Sequence, residues 1–318
     1  MDLGELADPV MMVPALAGAA CPVCGRADRS ESKGQLNGGY AWWHCEGCDL
    51  RFSSPMRGGD SSYYRSIWHY ASAACQYRRK RLNGIRRTWE YRTVLEHEPM
   101  SCGRLLDIGC GAGEFLYLAR ERYGYQVAGL DFNQELVHAA HTAYGLKDVV
   151  CGSWPESAGP LEQGAFDRVT MFHIVEHVPD PVGAIRMAAL ALKPGGLLAV
   201  AVPTVHRWPP LFVGTLDLPP YHLTLWSESA LTGALEAAGL ETTWVGRRPL
   251  LANDFLVFSQ DRFPLLQQAT LSRLLWLLGR RFLVLPVFVL RATRSTTGCA
   301  IVGIGRKAAL GRVAAALP

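Results

Sequence analysis

Four cysteines near the amino end of the chain have the spacing of metal ligands. They form two Cys-x-x-Cys pairs, Cys21 with Cys24 and Cys45 with Cys48. Two such pairs are typical of a tetrahedral Zn²⁺ site with four thiolate ligands. His44 lies next to the second pair, but the cysteines already supply the four ligands that a structural site needs. We therefore predict a closed zinc site at these cysteines, which leaves no coordination position for catalysis.

A second group of reactive side chains lies in the segment HIVEHVPDP, which begins at His173. A hydroxyl group must lose its proton when it attacks an electrophile, and a histidine with a near-neutral pKa is a natural general base. We expect His177 or His173 to take this role, with Glu176 orienting the ring. Two alternatives stay open. The trio holds a divalent cation that polarises the attacking oxygen, or Glu176 and His177 only cap the following helix.

A further histidine, His222, lies in the segment PPYHLTLWS. The two prolines restrict the backbone of this loop, and Ser227 before Glu228 is typical of a helix N-terminus. We expect Tyr221 and His222 to line the same catalytic pocket as the HIVEHVPDP segment. The alternative is a rigid surface loop with ordinary polar residues.

The segment LLDIGCGAGEF joins an apolar run to an amphipathic stretch through three glycines. Gly109 and Gly111 permit a tight turn and a close approach of the backbone to a ligand, and Gly113 lets the helix pack near the strand. Asp131 ends the next apolar run, where an acidic side chain can bind both hydroxyls of a ribose. The pattern therefore indicates a nucleotide-type ligand.

Four segments, in this order, resemble the motif series of class I S-adenosylmethionine-dependent methyltransferases: LLDIGCGAGEF, VAGLD, FDRVTMFHIVEHVPDP and LKPGGLLAVAVP. The resemblance spans about residues 103–239. It implies S-adenosylmethionine (SAM) as the cofactor and a seven-stranded sheet whose last strand is antiparallel. Asp107 is then expected to orient the glycine loop and the amino group of SAM.

The same resemblance implies positions for the rest of the cofactor. An adenine pocket falls at Gly152, Ser153 and Trp154, although Trp154 taken alone is equally consistent with a buried core aromatic. The residues that we expect to bind SAM are Asp107, Gly109, Gly111, Gly113, Asp131, Phe132, Ser153, Trp154 and Phe172.

Two more likenesses concern the acceptor of the methyl group. Glu176 and His177 resemble the Glu-His element of ubiquinone-type O-methyltransferases and of deoxysugar C-methyltransferases, where this pair lies beside the acceptor. His173 stands where some of those O-methyltransferases carry an acidic residue. CPVCG followed by HCEGCDLRFSSP resembles the zinc ribbon found ahead of many bacterial small-molecule and sugar methyltransferases. These likenesses imply a small-molecule acceptor.

The elements that must position these residues alternate between apolar runs and amphipathic stretches from Gly103 onward. Such alternation is typical of βαβ units around a parallel sheet. We predict an α/β fold with a Rossmann-like, seven-stranded, mostly parallel sheet and helices on both faces. A small zinc ribbon precedes the sheet, and a helical insert precedes its last strand. The helix after the fourth strand of this sheet is predicted to span 180–196.

These patterns divide the chain into a flexible leader (1–20), a zinc ribbon (21–57), a helical linker or lid (58–100) and a methyltransferase domain (101–318) with a helical insert (250–295). The insert is apolar, but charged residues and a proline interrupt every run before it reaches the roughly 18 residues of a membrane span. We expect the insert to cap the active site. The alternative is peripheral membrane contact through 271–290.

Composition limits the partners of the chain. Its 318 residues carry a net charge of +4, which does not favour nucleic acid as a partner. One local run of cations is interpreted as a solvated helix face, with a phosphate-binding face as the alternative: Arg78, Arg79, Lys80, Arg81, Arg86, Arg87 and Arg92. The odd cysteine count and a start without a basic region predict reduced thiols and a cytoplasmic protein. The sequence makes no prediction about oligomeric state.

The sequence thus predicts a SAM-dependent methyltransferase that acts on a hydroxyl or an activated carbon of a small molecule, such as a sugar or a secondary metabolite. One rival is an RNA methyltransferase, since similar ribbons precede some ribosomal RNA methyltransferases and help to grip RNA. The other rival is a non-catalytic SAM-binding protein. Salt-dependent RNA binding distinguishes the first rival, and cofactor binding without turnover distinguishes the second.

Overall fold

The computed structural model describes residues 19–28, 30–59, 63, 82–86, 88–100, 102–154, 162–207, 217–249 and 297–309. Two of the predicted parts fall largely or wholly outside these residues, namely the leader and the helical insert with its 271–290 segment, and about half of the linker is described. Within the described residues, no helix is long and apolar enough to cross a membrane.

The described strands, in chain order, are β1 (Ser30–Leu36), β2 (Tyr40–Cys45), β3 (Leu50–Ser54), β4 (Arg104–Ile108), β5 (Gln126–Asp131), β6 (Val149–Cys151), β7 (Phe166–Phe172), β8 (Leu192–Pro203), β9 (Thr224–Leu225), β10 (Leu240–Pro249) and β11 (Thr297–Lys307). The described α-helices are α1 (Leu82–Ile85), α2 (Trp89–Glu96), α3 (Glu114–Tyr123), α4 (Gln134–Tyr144), α5 (Pro181–Leu190) and α6 (Glu228–Ala237).

The larger sheet has seven strands in the order β10-β11-β8-β7-β4-β5-β6. The pairs from β8 to β6 are parallel, whereas β11 is antiparallel to both of its neighbours, β8 and β10. The predicted Rossmann-like, mostly parallel sheet with an antiparallel last strand is therefore confirmed. Because β4, β5 and β7 run in the same direction, their carboxyl ends meet at one edge, where open α/β sheets bind ligands.

Helices cover both faces of this sheet, as predicted. Alternate residues of a strand point to opposite faces, and β4 shows the consequence. Leu106 and Ile108 belong to a core that includes residues of α5 and α6, while Leu105 belongs to a second core with residues of α3 and α4. Leu50 and Phe52 of the ribbon are part of the first core. The ribbon is therefore packed against the α5–α6 face.

The smaller sheet is antiparallel, in the order β1-β2-β3-β9. Its first three strands come from the cysteine-rich segment, and β9 is a two-residue strand from the loop that carries His222. In the register between β3 and β9, Arg51 pairs with Leu225 and Phe52 with Thr224. The ribbon thus shares a sheet with a loop of the methyltransferase domain, which the sequence did not indicate.

One predicted boundary is wrong. The helix expected over 180–196 ends at Leu190, and β8 already begins at Leu192. Pro194 accounts for the early end, because a proline lacks the backbone donor of a helix interior and disfavours the helical conformation of the residue before it. Gly195, at a φ of 80°, then lies within the strand.

Candidate active site

The glycine loop between β4 and α3 is tied to the end of β5 by backbone hydrogen bonds. The amides of Gly109 and Cys110 both donate to the carbonyl oxygen of Leu130, at 2.7 and 3.0 Å. Gly109 and Gly111 have positive φ angles, 75° and 54°, which residues with a Cβ adopt only at a steric cost. The turn is therefore built from backbone geometry that glycine permits.

The surroundings of the three loop glycines differ. A Cβ on Gly109 would lie 2.1 Å from Cδ1 of Ile174, so this glycine lets the loop pack on the segment after β7. A Cβ on Gly113 would lie 2.3 Å from Leu146, which follows α4, and 3.2 Å from Ala140 within α4. Gly113 therefore lets the loop pack against the neighbouring helix, where the sequence predicted packing near the strand. A Cβ on Gly111 would meet no atom within 4 Å. The Gly111 backbone thus presents an open face, as close approach of a ligand requires.

Asp131 lies at the carboxyl end of β5 and receives two backbone hydrogen bonds. Gly111 N–H donates to Oδ2 at 2.7 Å, and Asn133 N–H donates to Oδ1 at 2.9 Å. Burial raises the pKa of the Asp131 carboxyl, although both amides act in the opposite direction. The carboxylate therefore joins the glycine loop to the end of β5, where the sequence predicts a ribose.

Asp107 is buried inside the sheet one residue before the end of β4. Its Oδ1 accepts a hydrogen bond from the Thr170 hydroxyl at 2.7 Å. Burial raises the pKa of Asp107 to about 8, against the lowering effect of the Thr170 bond. A carboxyl in this position gains a charge readily only if a cationic group binds beside it, which is consistent with the predicted contact to the amino group of SAM.

The predicted adenine positions follow β6. Ser153 and Trp154 are half-buried, and the indole Nε1–H of Trp154 is buried without a hydrogen-bond partner among the described residues. An unsatisfied buried donor is costly unless a ligand or water accepts from it. Together with the open face of Gly111 and the carboxylate of Asp131, this donor fits a nucleoside cofactor such as SAM.

The two phenylalanines predicted for the cofactor have different environments. Phe172 ends β7 and makes an edge contact with Phe115 of α3, at 4.7 Å between ring centroids, and another with Tyr91 of α2, at 5.1 Å. Phe132 follows Asp131, and its carbonyl oxygen accepts the Cys151 thiol at 3.6 Å. Phe172 therefore packs against α3, the helix that follows the glycine loop, while Phe132 lies between the ends of β5 and β6.

Glu176 is the centre of a histidine cluster just beyond β7, in a 3-10 turn at Val175–His177. Its side chain is fully buried, and its Oε1 lies 3.2 Å from Nδ1 of His173 and 3.9 Å from Nε2 of His222. Burial raises the pKa of Glu176, but the hydrogen bond from His173 and the charges of His177 and His222 outweigh burial and lower it. Glu176 is thus held as a carboxylate.

His173 is the exposed member of the cluster, with 47% of its side chain accessible. The protein atoms around the ring lower its pKa by desolvation, but the hydrogen bond and charge of Glu176 raise it above the ordinary histidine value. Its backbone φ is 57°, a conformation that non-glycine residues rarely adopt and that is often associated with functional sites. The strained backbone places the ring against the Glu176 carboxylate.

His177 and His222 lie on the other side of Glu176. The Nδ1–H of His177 donates to the Tyr221 carbonyl oxygen at 2.6 Å, so the lone pair of the neutral ring is on Nε2. Burial lowers the pKa of His177, despite the charge of Glu176. The rings of His177 and His222 are 4.8 Å apart between centroids. The predicted convergence of the two loops is therefore present.

Two charged pairs near the cluster were not foreseen. Arg207 and Asp217 form a buried ion pair at 3.0 Å, and Asp217 Oδ1 lies 3.5 Å from Nδ1 of His222. Glu90 of α2 lies 3.6 Å from Arg248 of β10, and both charges act on His173. Asp217 is the one acidic residue in the apolar stretch 208–220, a signal that could have singled it out.

Among the described residues, two groups have the geometry to hold a metal ion. One is the carboxylate and imidazole set of Glu176, His177 and His222, whose ligand atoms lie within 4.8 Å of one another. The set differs from the cation alternative drawn from the sequence, because His222 takes the place of His173. The other group is formed by the four ribbon cysteines.

The ribbon cysteines fit one zinc ion. The sulfurs of Cys21 and Cys48 are 3.6 Å apart, and those of Cys24 and Cys45 are 3.5 Å apart. Tetrahedral Zn–S bonds of about 2.3 Å place ligand sulfurs about 3.8 Å apart. His44 stays outside the set, since its Nε2 pairs with Asp49 Oδ1 at 2.7 Å. The thiolate set therefore suits structural zinc without a fifth ligand.

Comparison with known proteins places the chain in a family. A family model described as a methyltransferase domain matches residues 67–244, more than half of the chain. This range contains the glycine loop, Asp131 and the histidine segment. The match and the seven-stranded sheet define the class, an α/β methyltransferase domain. The chain belongs to the methyltransferase-domain family, as a class I SAM-dependent methyltransferase.

Similar curated proteins match part of the chain. A ubiquinone biosynthesis O-methyltransferase of Xanthomonas oryzae pv. oryzae is 40% identical over 113 residues, which are 34% of this chain and 46% of that protein. One of Ralstonia nicotianae is 34% identical over 130 residues, covering 40% of this chain and 51% of that protein. The chain thus spans about half the length of the curated relatives it matches.

Solved structures with the same fold cover more of the chain. The [4+2]-cyclase SpnF has a TM-score of 0.54 at 20% identity and covers 80% of this chain and 100% of its own. A methyltransferase in complex with the Haloferax volcanii Trm112 methyltransferase activator has a TM-score of 0.51 at 20% identity. The match covers 76% of this chain and 96% of that chain. At this identity the likeness shows the fold.

Proposed function

We propose that the protein transfers the methyl group of SAM to a hydroxyl oxygen of a small organic acceptor. The observation that carries the proposal is the buried Glu176 carboxylate, which holds the ring of the exposed His173 at the carboxyl edge of the sheet. The ubiquinone biosynthesis relatives, named as O-methyltransferases, support oxygen over activated carbon as the accepting atom. The net charge of +4 supports a small acceptor over RNA.

The cofactor half of the site consists of the glycine loop and the residues at the ends of β5 and β6. In the proposal, Asp131 accepts hydrogen bonds from the ribose hydroxyls of SAM, and Asp107 faces its amino group. Trp154 donates a hydrogen bond to the adenine or stacks beside it. Bound SAM supplies an electrophilic methyl group on a sulfonium sulfur, which leaves as a neutral thioether. Ile174 packs against Gly109 and so holds the turn that carries Glu176 next to the glycine loop. Methyl transfer requires that the cofactor and the acceptor lie this close together.

His173 is the general base in this proposal. Its Nδ1–H donates to Glu176 Oε1, so the lone pair of Nε2 accepts the proton of the acceptor hydroxyl. The negative charge of Glu176 then stabilises the imidazolium, as a carboxylate does in a His-acid pair. His177 is the alternative base, since its Nε2 also carries a lone pair. The two assignments differ in pH dependence, because the pKa of His173 is raised and that of His177 is lowered.

The domain boundaries form part of the proposal. The paired cysteines and the separate antiparallel sheet support a zinc ribbon at 21–57, and the seven-stranded sheet supports a methyltransferase domain at 101–318. We assign 58–100 as a helical linker or lid, which the helices α1 and α2 support, and 250–295 as a helical insert, from the sequence pattern. Tyr221 and His222 line the acceptor side of the pocket.

Tritiated methyl transfer from SAM tests the proposal. Wild-type protein would be incubated with three probes, a catechol, a free hexose and total RNA, and each would be recovered and counted. We expect label on the catechol or the hexose and none on RNA. Label on RNA alone would contradict the small-molecule assignment, and stoichiometric cofactor binding with no label on any probe would favour the non-catalytic rival.

A further inference from the structure

Several polar contacts of the ribbon are made with one loop, residues 217–227, which we call the acceptor loop. Beyond the β3–β9 pairing, the Ser53 amide donates to the Leu223 carbonyl oxygen at 2.8 Å, and the Gly59 amide donates to the Pro220 carbonyl oxygen at 3.2 Å. These two carbonyls lie on either side of His222 in the chain. The backbone that carries this histidine is therefore fixed on one side by Ser53 of the ribbon and on the other by Gly59, two residues beyond the ribbon.

The same path continues into the turn that holds Glu176. The Leu223 amide donates to the Glu176 carbonyl oxygen at 2.7 Å. Leu223 thus receives a hydrogen bond from Ser53 on its carbonyl side and gives one to Glu176 on its amide side. The backbone of the ribbon and that of the catalytic turn are joined through one fully buried residue of the acceptor loop.

A second junction lies at a predicted zinc ligand. The carbonyl oxygen of Cys48 accepts hydrogen bonds from the hydroxyls of Ser227 and Ser229, at 2.9 and 2.8 Å. Ser227 also caps α6, since its Oγ accepts from the Ala230 amide at 3.1 Å. The position of the Cys48 backbone is therefore linked to the residue where the acceptor loop ends.

A third junction follows directly in the chain. Asp49, at a φ of 59°, places its carboxylate between two histidines. Oδ1 lies 2.7 Å from Nε2 of His44, inside the ribbon, and Oδ2 lies 2.7 Å from Nε2 of His206, just after β8. The ribbon is thus held against the segment that leads into the acceptor loop.

The cofactor loop has no comparable link. Among the described residues, no hydrogen bond or ion pair joins residues 19–59 to the segments 104–113 or 126–131. Those segments are held instead by each other, through Leu130 and Asp131. The polar contacts of the ribbon are therefore concentrated on the acceptor side.

We propose that the zinc ribbon is the positioning element of the acceptor loop, with Ser227 and Ser229 as the positioning residues. When the four thiolates hold the ion, the Cys48 carbonyl and β3 fix the loop so that His222 faces Glu176. Small metal domains gain their folding free energy from metal binding, so loss of the ion releases the loop. The inference rests on the proposed function only in naming this loop as the acceptor side.

Hydrogen–deuterium exchange of the full chain tests the role of the metal. Protein with zinc would be compared with protein treated with a zinc chelator under reducing conditions. We expect peptides from 217–227 to exchange about tenfold faster without zinc, while peptides from 104–113 and 126–133 keep their rates. The affinity for S-adenosylhomocysteine, measured by calorimetry, should stay within about twofold, since the cofactor half keeps its contacts.

Unchanged exchange at 217–227 after zinc loss would overturn the proposal. Equal acceleration in the cofactor segments, or loss of S-adenosylhomocysteine binding, would overturn it too, because the ribbon would then support the whole domain. Neither result depends on methyl transfer, so failure of the proposed O-methylation is recognised separately.

A serine series tests the positioning residues with zinc bound. Ser229→Ala removes one donor to Cys48 and should speed exchange at 217–227 about threefold to tenfold, the effect of one lost hydrogen bond. Ser229→Thr keeps the hydroxyl and should restore the wild-type rate. Ser30→Ala is the matched control, because its hydroxyl donates within the ribbon, to the Arg26 carbonyl. Equal rates in Ser229→Ala and Ser30→Ala would contradict the assignment.

Discussion

The cofactor half and the acceptor half of the site are held together by different kinds of contact. In the cofactor half, backbone amides of the glycine loop bond to Leu130 and Asp131 at the end of the neighbouring strand. In the acceptor half, buried charged side chains from distant segments surround Glu176, and the ribbon fixes the backbone of one of those segments. One half depends on local backbone geometry, and the other on long-range assembly.

This difference has a functional consequence. A site made from backbone and consecutive strands can bind the same cofactor whatever the acceptor is, because few of its contacts involve the acceptor segments. Substitutions in the ribbon, in the 217–227 loop or at the charged residues of α2 and β10 can alter the acceptor half without disturbing the glycine loop. Variants in the two halves should therefore have separable effects on cofactor affinity and on turnover.

The largest effect is expected for His173→Ala. Removing a general base lowers the turnover number by about 10² to 10⁴-fold, while the affinity for S-adenosylhomocysteine should stay at the wild-type value. Single-turnover transfer of the tritiated methyl group and calorimetry measure the two quantities. His138→Ala is the control, since His138 is exposed on α4, away from the cluster. A parallel loss of cofactor affinity and turnover would show that the halves are not separable.

The loop glycines give the next largest difference. Gly109→Ala introduces a Cβ 2.1 Å from Ile174 at a positive φ, and should lower the free energy of unfolding by roughly 2–5 kcal/mol. Gly111→Ala meets no atom and should cost only about 1–2 kcal/mol, yet weaken S-adenosylhomocysteine binding. Urea unfolding and calorimetry measure both.

The Gly109 contact also offers a double-mutant test. Shortening Ile174 to alanine removes the atoms that the new Cβ would strike, so the Gly109→Ala/Ile174→Ala pair should be more stable than the sum of the single effects predicts. Strict additivity in urea unfolding would mean that this contact does not join the loop to the catalytic turn.

A smaller effect concerns pH. In the proposed mechanism the neutral form of His173 is the active base. Glu176 raises the pKa of its ring, so kcat/KM should fall as the pH drops through a value above the ordinary histidine pKa of about 6.5. Glu90 and Arg248 also face the ring, with opposite effects. This fall in kcat/KM is the acid limb of the pH profile. Glu176→Gln should move the acid limb to lower pH and reduce turnover about tenfold.

The position of the limb distinguishes the two candidate bases. A pH profile whose acid limb already lies below the ordinary histidine value in the wild type would point to His177, whose pKa is lowered by burial. A limb that does not move in Glu176→Gln would remove Glu176 from its proposed role as the partner of the base.

Much of the fold could be predicted from local pattern. The apolar runs that end at Ile108 and Phe172 are strands with the expected bounds, because a buried parallel strand has a continuous apolar sequence. The glycine loop and Asp131 follow from the same local order. The end of α5 at Leu190 was missed, because apolar residues continue at helical spacing up to Pro194. The proline prevents the helix from extending that far.

The acceptor half could be predicted only in part. His173, Glu176 and His177 lie within one short segment, so their proximity follows from spacing, and Glu176 is within 3.9 Å of His222 as expected for converging loops. The Arg207–Asp217 pair and the β3–β9 pairing could not be read from pattern. A two-residue strand has no periodicity, and its partner lies on a distant part of the chain.

The most direct measurement is a calorimetric titration of S-adenosylhomocysteine into wild type, Asp131→Ala and His173→Ala. The account predicts one binding site in the wild type, an unchanged affinity in His173→Ala, and an affinity about 10- to 100-fold lower in Asp131→Ala, which loses hydrogen bonds to a charged group. No binding to the wild type, or equal binding to wild type and Asp131→Ala, would contradict the assignment of the glycine loop and Asp131 as the cofactor half.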